Sequence, residues 1–410
     1  MNYTNPTNLA VIACPGAEVF AKQIVGHLKS CFKRNFQRMV ADLSKRYEME
    51  RDEAVRRLNF IRETASSGTV ARGNAAQCHT PHFSADAHFS MFSNGEVKAE
   101  FLESVRGKDV YIVQDVENRN LVSFNSGAVS RSLSVNDHLL CLLVTIDAAK
   151  QAGAQSITAI LPVYPYSRQH KKKSREGVTA SSVGAILETL HVNRVITLDI
   201  HSREIGNSFG NMRLENLHAS YQIIRQLAKI TDVKSEDLVV VSPDTGAIDR
   251  NKFYATALKK PLALLYKERD YSRISSSAID SNIAELKLLG NVQGKTVFIA
   301  DDMIGTGGTL LKAMRCLKEN GAGQVICAVS LPIFSGDAVS YFDDAYNEGL
   351  FYRIIGTNAV QHEALLTREW YVSVDITRLF AQIISRLRQN LPLSSLLDNR
   401  DIIVKLFDEK

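Results

Sequence analysis

The chain carries one stretch of itself twice, and this repeat limits its fold more than any other feature. Gly107-Lys-Asp-Val-Tyr-Ile-Val-Gln-Asp-Val116 closely matches Gly294-Lys-Thr-Val-Phe-Ile-Ala-Asp-Asp-Met303. Each copy continues through a helical stretch, 137–151 in the first and 309–320 in the second. Each then reaches a Gly-Ala and an apolar run ending near a proline, Ile157 to Pro162 and Val325 to Pro332. Short β-rich runs alternating with helical patterns make βαβ units, and these build a mostly parallel sheet with helices on both faces. The expectation is an α/β chain of two duplicated domains, 1–218 and 219–410, which a length of 410 residues accommodates. Further strands are expected at Arg194 to Asp199 and Leu238 to Ser242, each ending in a polar cluster. In open α/β sheets, ligands bind beyond the carboxyl ends of strands.

One block breaks this rhythm. Lys29 to Thr64 has no Pro or Gly, and Phe32, Phe36, Met39 and Leu43 fall at helical spacing, as do Val55 and Leu58. It reads as one or two amphipathic helices, followed by a Ser/Gly/Ala/His-rich mobile loop, Ser66 to His88. Together they form an insertion of about 29–89 in the first domain. From Lys29 to Arg72 there are eleven Lys/Arg against six Asp/Glu, so this segment carries the whole formal charge of +5. Such a patch attracts nucleic acid or acidic ligands, or is a solvated helix face. Nucleic-acid binding predicts interleaved aromatics for stacking. The segment offers only Phe32, Phe36, Tyr47 and Phe60, two of them on the apolar face. The solvated face is the better reading, with no nucleic-acid partner.

Composition places the rest among ordinary globular chains, 45% hydrophobic and 23% charged. Its apolar runs are too short for a membrane span, and Met1 to Leu9 lacks the order of a signal peptide. The six cysteines are scattered without metal-ligand spacing. Several sit in apolar segments and read as small buried hydrophobes, and a reduced, cytoplasmic protein is expected.

The strongest motif is Asp301-Asp-Met-Ile-Gly-Thr-Gly-Gly-Thr309, after an expected strand Val297 to Ala300 and before a helix. Gly305, Gly307 and Gly308 let backbone approach a phosphate, and the helix start offers free N–H groups. Thr306 and Thr309 add hydroxyl donors. Asp301 and Asp302 can accept hydrogen bonds from two vicinal hydroxyls, as ribose presents. His201 follows an expected strand end, and Asp244 follows Ser242-Pro243, a suitable place for a carboxylate that holds a hydrated Mg²⁺. Lys267 and Arg269, two apart, point the same way on an extended segment.

The 301–309 loop resembles that of the type I phosphoribosyltransferase fold at every position but Gly305. The remaining motifs resemble the ribose-phosphate pyrophosphokinase family in order: Phe92-Ser-Asn-Gly-Glu96, Ser104 to Asp109, Val135 to His138, Pro165-Tyr-Ser-Arg-Gln169, Asp199 to Ile205, Ser242-Pro-Asp-Thr-Gly246, Lys267-Glu-Arg269 and Pro332 to Gly336. The resemblance implies two phosphoribosyltransferase-like domains. It also implies Mg²⁺-dependent transfer of the β,γ-diphosphate of ATP to C1 of ribose 5-phosphate. ATP would be bound by Phe92, Asn94, Glu96, Arg168 and Gln169, and ribose 5-phosphate by Asp301, Asp302 and Gly305 to Thr309. Lys267, Arg269 and His201 would serve the chemistry, and His201 and Asp244 the metal. A homo-oligomer, a hexamer built from dimers, is the family's assembly.

Departures mark the limits of the resemblance. The family's R-Q-D is Arg168-Gln169-His170, and its F-P-D-G-E has become Phe92-Ser-Asn-Gly-Glu96. Position 305 loses an acid, 29–89 has no counterpart, and the tail from about 345 matches poorly. His170 and Asn94 raise the alternative of a catalytically silent regulatory subunit of the same family.

Overall fold

A computed structural model describes residues 8–65, 76–172, 174–268 and 285–408. Contacts divide the chain into two units, Met1–Leu217 with Thr377–Leu397, and His218–Ile376 with Asp398–Lys410. Among the described residues no helix is long and apolar enough to cross a membrane.

The first unit is built on a five-stranded sheet in the order Leu9–Ala13, Asp109–Val113, Ser156–Ile160, Arg194–Leu198 and Arg213–Leu217, with every neighbouring pair parallel. Its four strands from Leu9–Ala13 to Arg194–Leu198 are mostly apolar and buried, as a sheet covered on both faces requires, while the edge strand Arg213–Leu217 is polar and largely half-buried. Helices Val135–Gln151 and Thr179–Thr189 connect successive strands. Ser134 and Asp137 start the first of these with a reciprocal capping box, so Asp137 of the Val135 to His138 motif serves the helix end. Buried His138 is held between Gln114 Nε2 at 3.0 Å and the Asn118 carbonyl at 2.8 Å.

The second unit has a seven-stranded sheet in the order Glu285–Leu289, Leu262–Glu268, Leu238–Ser242, Thr296–Ile304, Val325–Pro332, Arg353–Thr357 and Tyr371–Val374. Only the Glu285–Leu289 edge is antiparallel. Duplication and a mostly parallel α/β architecture thus hold in both units. The repeat strands Asp109–Val113 and Thr296–Ile304 each sit inside their own sheet. The second strand runs four residues past the expected Ala300, carrying Asp301 to Ile304 within it, because residues through Ile304 still pair with Val325–Pro332.

The insertion contains two helices, but the first starts ahead of it. Glu18–Tyr47 is one continuous helix ended by Glu48 in a left-handed conformation (φ 49°), followed by Arg51–Ala65. Phe36, Val40, Ala54, Val55 and Leu58 form a small core of their own, with Phe32 and Leu43 against it. Met39, expected on that face, is exposed, because the stripe follows 32, 36, 40 and 43. Residues 66–75 of the expected loop lie outside the described residues. The part after them is anchored. Val11 N–H donates to Phe83 O at 2.7 Å and Ala85 N–H to Val11 O at 3.1 Å, with Phe83 buried.

The segment 377–397, expected in the C-terminal domain, packs in the first unit. Helix Thr377–Arg388 presses Phe380 edge-on to Phe20 at 5.3 Å, and Arg388 pairs with Asp109. The chain then rejoins the second unit, where Asn399 Nδ2 donates to His218 O at 2.9 Å.

Candidate active site

The second unit brings Asp301 to Thr309 together as one turn from strand end to helix. Gly307 adopts φ 78°, and a Cβ there would meet Phe342 Cε2 at 2.2 Å. Phe342 belongs to a buried cluster of rings with Phe334, Phe351 and Trp370. Both the backbone conformation and the close approach therefore require glycine. Gly308 is different: a Cβ there would meet nothing within 4 Å, so the cradle opens outward. Helix Gly308–Glu319 begins directly there and no side chain caps it, so its first N–H groups remain available to an anion. Thr306 and Thr309 are exposed at the same rim. Gly305 is tied down through its carbonyl, which accepts from Ser335 N–H at 3.0 Å.

Asp302 is buried and Asp301 half-buried within the last four residues of the strand that leads into this turn. Burial pushes the Asp301 carboxyl well above the usual carboxylate range, and the adjacent Asp302 charge adds to the rise; the Asp302 N–H and Arg250 oppose it. The Asp302 N–H donates to Asp301 Oδ1 at 2.9 Å, and Met303 N–H donates to Asp302 Oδ1 at 2.8 Å. Two adjacent carboxylates held this close are arranged to accept hydroxyl protons. In the neighbouring loop, half-buried Asp244 accepts Ala247 N–H on Oδ1 at 2.9 Å, and Ser242 Oγ donates to the Asp244 carbonyl at 2.8 Å.

The first unit gathers other candidates. Gln169 N–H donates to Tyr166 O at 2.8 Å, with Tyr166 at φ 58°, and Thr179 Oγ1 donates to Gln169 Oε1 at 2.7 Å. Exposed Arg168 lies near Glu117, whose carboxyl burial pushes up and Arg119 and Arg168 draw down. Asp199 holds φ 38° at a strand end, a conformation rare outside glycine, while its N–H donates to Leu217 O at 2.8 Å. Two residues on, the His201 ring lies edge-on to His170 at 5.3 Å. The Arg168–His170 loop and the Asp199–His201 segment thus meet.

Phe92, Asn94 and Glu96 lie on the exposed tip of the hairpin formed by Ala87–Met91 and Val97–Phe101. Phe92 N–H donates to Glu96 O at 2.8 Å, and Asn94 Oδ1 accepts Glu96 N–H at 3.2 Å. Asn94 therefore already has a turn-forming role. Lys267 lies in strand Leu262–Glu268, opposite Leu286, but its side chain and all of Arg269 fall outside the described residues. Among the described residues no three His, Cys, Asp or Glu side chains gather as a metal centre. Sequence reasoning missed Asn251, fully buried behind the Asp301 turn, and Phe342 beneath Gly307.

Comparison with known proteins matches both halves. Residues 64–190 match the N-terminal domain of ribose phosphate pyrophosphokinase, and 211–361 the phosphoribosyl transferase domain. The ribose-phosphate pyrophosphokinase of Mycoplasma pneumoniae is 35% identical over 306 residues, 74% of this chain and 85% of that protein. Ribose-phosphate pyrophosphokinase A of Dictyostelium discoideum is 35% identical over 312 residues, 76% and 89% of the two chains. The crystal structure of phosphoribosylpyrophosphate synthetase from Mycobacterium smegmatis superposes with a TM-score of 0.66 at 26% identity, covering 93% of this chain and 99% of that one.

Proposed function

Because the chain belongs to the ribose-phosphate pyrophosphokinase family and is an enzyme of that kind, we propose that it makes 5-phosphoribosyl 1-diphosphate from ATP and ribose 5-phosphate, releasing AMP. The observation that carries this reading is the 301–309 turn: paired carboxylates at a strand end beside an open, uncapped helix start. The helix N–H groups and the Thr306 and Thr309 hydroxyls bind the 5-phosphate, and Asp301 and Asp302 accept from the ribose hydroxyls. That fixes the sugar so that its C1 hydroxyl attacks the β-phosphorus in line, and AMP leaves. Positioning of this kind supplies much of the rate in phosphoryl chemistry.

Arg168 and Gln169 bind ATP in this reading, with Phe92, Asn94 and Glu96 of the hairpin tip. Lys267 and Arg269 offset charge on the transferring diphosphate. Asp244 and His201 would hold Mg²⁺, which neutralises phosphate oxygens when bound. One anchored carboxylate suits an ion that keeps several waters and leans on substrate phosphates. The active form is a homo-oligomer in the cytoplasm.

Mixing the protein with ATP, Mg²⁺ and ribose 5-phosphate should release AMP in step with loss of ribose 5-phosphate. No AMP under these conditions would favour a catalytically silent subunit, a reading to which His170 against His201 lends support.

A further inference from the structure

Strand Leu238–Ser242 pairs with strand Thr296–Ile304 as far as Val241 opposite Ile299, and there the ladder stops. The chain turns away at Ser242-Pro243, and proline has no N–H to offer. The next backbone groups of the site strand, those of Ala300, would be left without partners on this side. A buried peptide group left unpaired destabilises the folded state.

Asn251 fills the gap. It lies in helix Ile248–Leu258 and is fully buried. Its Oδ1 accepts Ala300 N–H at 2.9 Å, and its Nδ2 donates to Ala300 O at 2.8 Å. The side-chain amide thus stands in for the missing strand peptide, one residue before Asp301. The same Nδ2 donates to Ala247 O at 2.9 Å, and the Ala247 N–H donates to Asp244 Oδ1 at 2.9 Å. Hydrogen bonds therefore link the Asp244 carboxylate, through the N–H and C=O of Ala247 and the Asn251 amide, to the strand residue just before Asp301.

We propose that Asn251 is a positioning residue that holds the Asp244 loop and the sugar-binding turn in register. This rests on the functional reading above. It touches neither substrate; its effect passes through Ala300 and Ala247. A helix side chain is a firmer anchor than a loop contact, because its own backbone is fixed by the helix.

The test is Asn251→Leu, which keeps the branched four-heavy-atom outline and removes both hydrogen-bonding arms. Ribose 5-phosphate binding is measured by calorimetry beside steady-state kinetics, below the melting temperature of each protein. The variant should bind ribose 5-phosphate about 10-fold more weakly and lose at least about 10-fold in kcat, with the KM for ATP changed less than about threefold. A purely structural role predicts a lower melting temperature with both KM values unchanged, and that result overturns the proposal. So does ribose 5-phosphate affinity within about twofold of the parent. If Leu prevents folding, Asn251→Ala, which removes both arms without adding bulk, takes its place, and the same two results overturn the proposal. Should the parent itself fail to bind ribose 5-phosphate, the functional reading fails, and this inference with it.

Discussion

Asp301 keeps its proton to a higher pH in the folded chain than in the unfolded one, its pKa raised from the ordinary value to about 7 by burial and by Asp302. The folded state therefore binds more protons between about pH 4 and 7, and stability from this group is lost as pH rises through that window. Asp301→Asn removes the titration, so the variant's melting temperature relative to the parent should climb from pH 5 to pH 8. A constant offset between the two proteins would count against a buried, proton-holding carboxyl. Gly307→Ala should cost about 2–4 kcal/mol in urea unfolding, since it combines left-handed strain with a collision against buried Phe342. Glycines, paired acids and threonines made this turn legible, because a phosphate cradle admits few other residue types. Asn251 was not legible, since no sequence pattern tells where a strand loses its neighbour. Asn94-Gly95 was readable as a hairpin tip, a signal overshadowed by reading that position as an ATP contact.

At the level of elements, regular periodicity located the helices and strands, while tertiary packing chose the faces. The stripe of the insertion passes through Val40 instead of Met39 because the Arg51–Ala65 helix folds back on that side. Arg62 of that helix lies over the Phe32 ring at 4.4 Å and donates to His79 O at 3.0 Å, tying both helices to the segment that follows. Phe36→Ala should then cost about 3 kcal/mol and speed amide hydrogen exchange across 32–65, without changing ribose 5-phosphate affinity in the other unit. Exchange that speeds up throughout the first unit instead would mean that the insertion is part of the main core. For the strand carrying Lys267, Lys267→Ala should lower kcat by on the order of 10²-fold with much smaller changes in either KM. A near-normal kcat would remove Lys267 from the chemistry.

For the molecule as a whole, duplication was evident from the repeat, but the path of the C-terminal segment was not. Helix Thr377–Arg388 is strongly amphipathic, which says that it docks and not where. Its partners, Phe20 and Asp109, are hundreds of residues away in sequence. Truncation after Ile376 should expose Phe20 and the surrounding apolar face, leaving the first unit aggregation-prone; a soluble product with a normal melt would contradict this packing. The same threading has a consequence during synthesis. The first unit begins at the amino terminus but is completed only when 377–397 leaves the ribosome, after the central part of the second unit has already emerged. At about 5–20 residues per second, its sheet waits on the order of tens of seconds for that last helix. Nascent chains stalled just before and just after this segment should therefore differ sharply in protease resistance across the first 217 residues. In this enzyme the half that is translated first cannot mature until nearly the whole chain has been made.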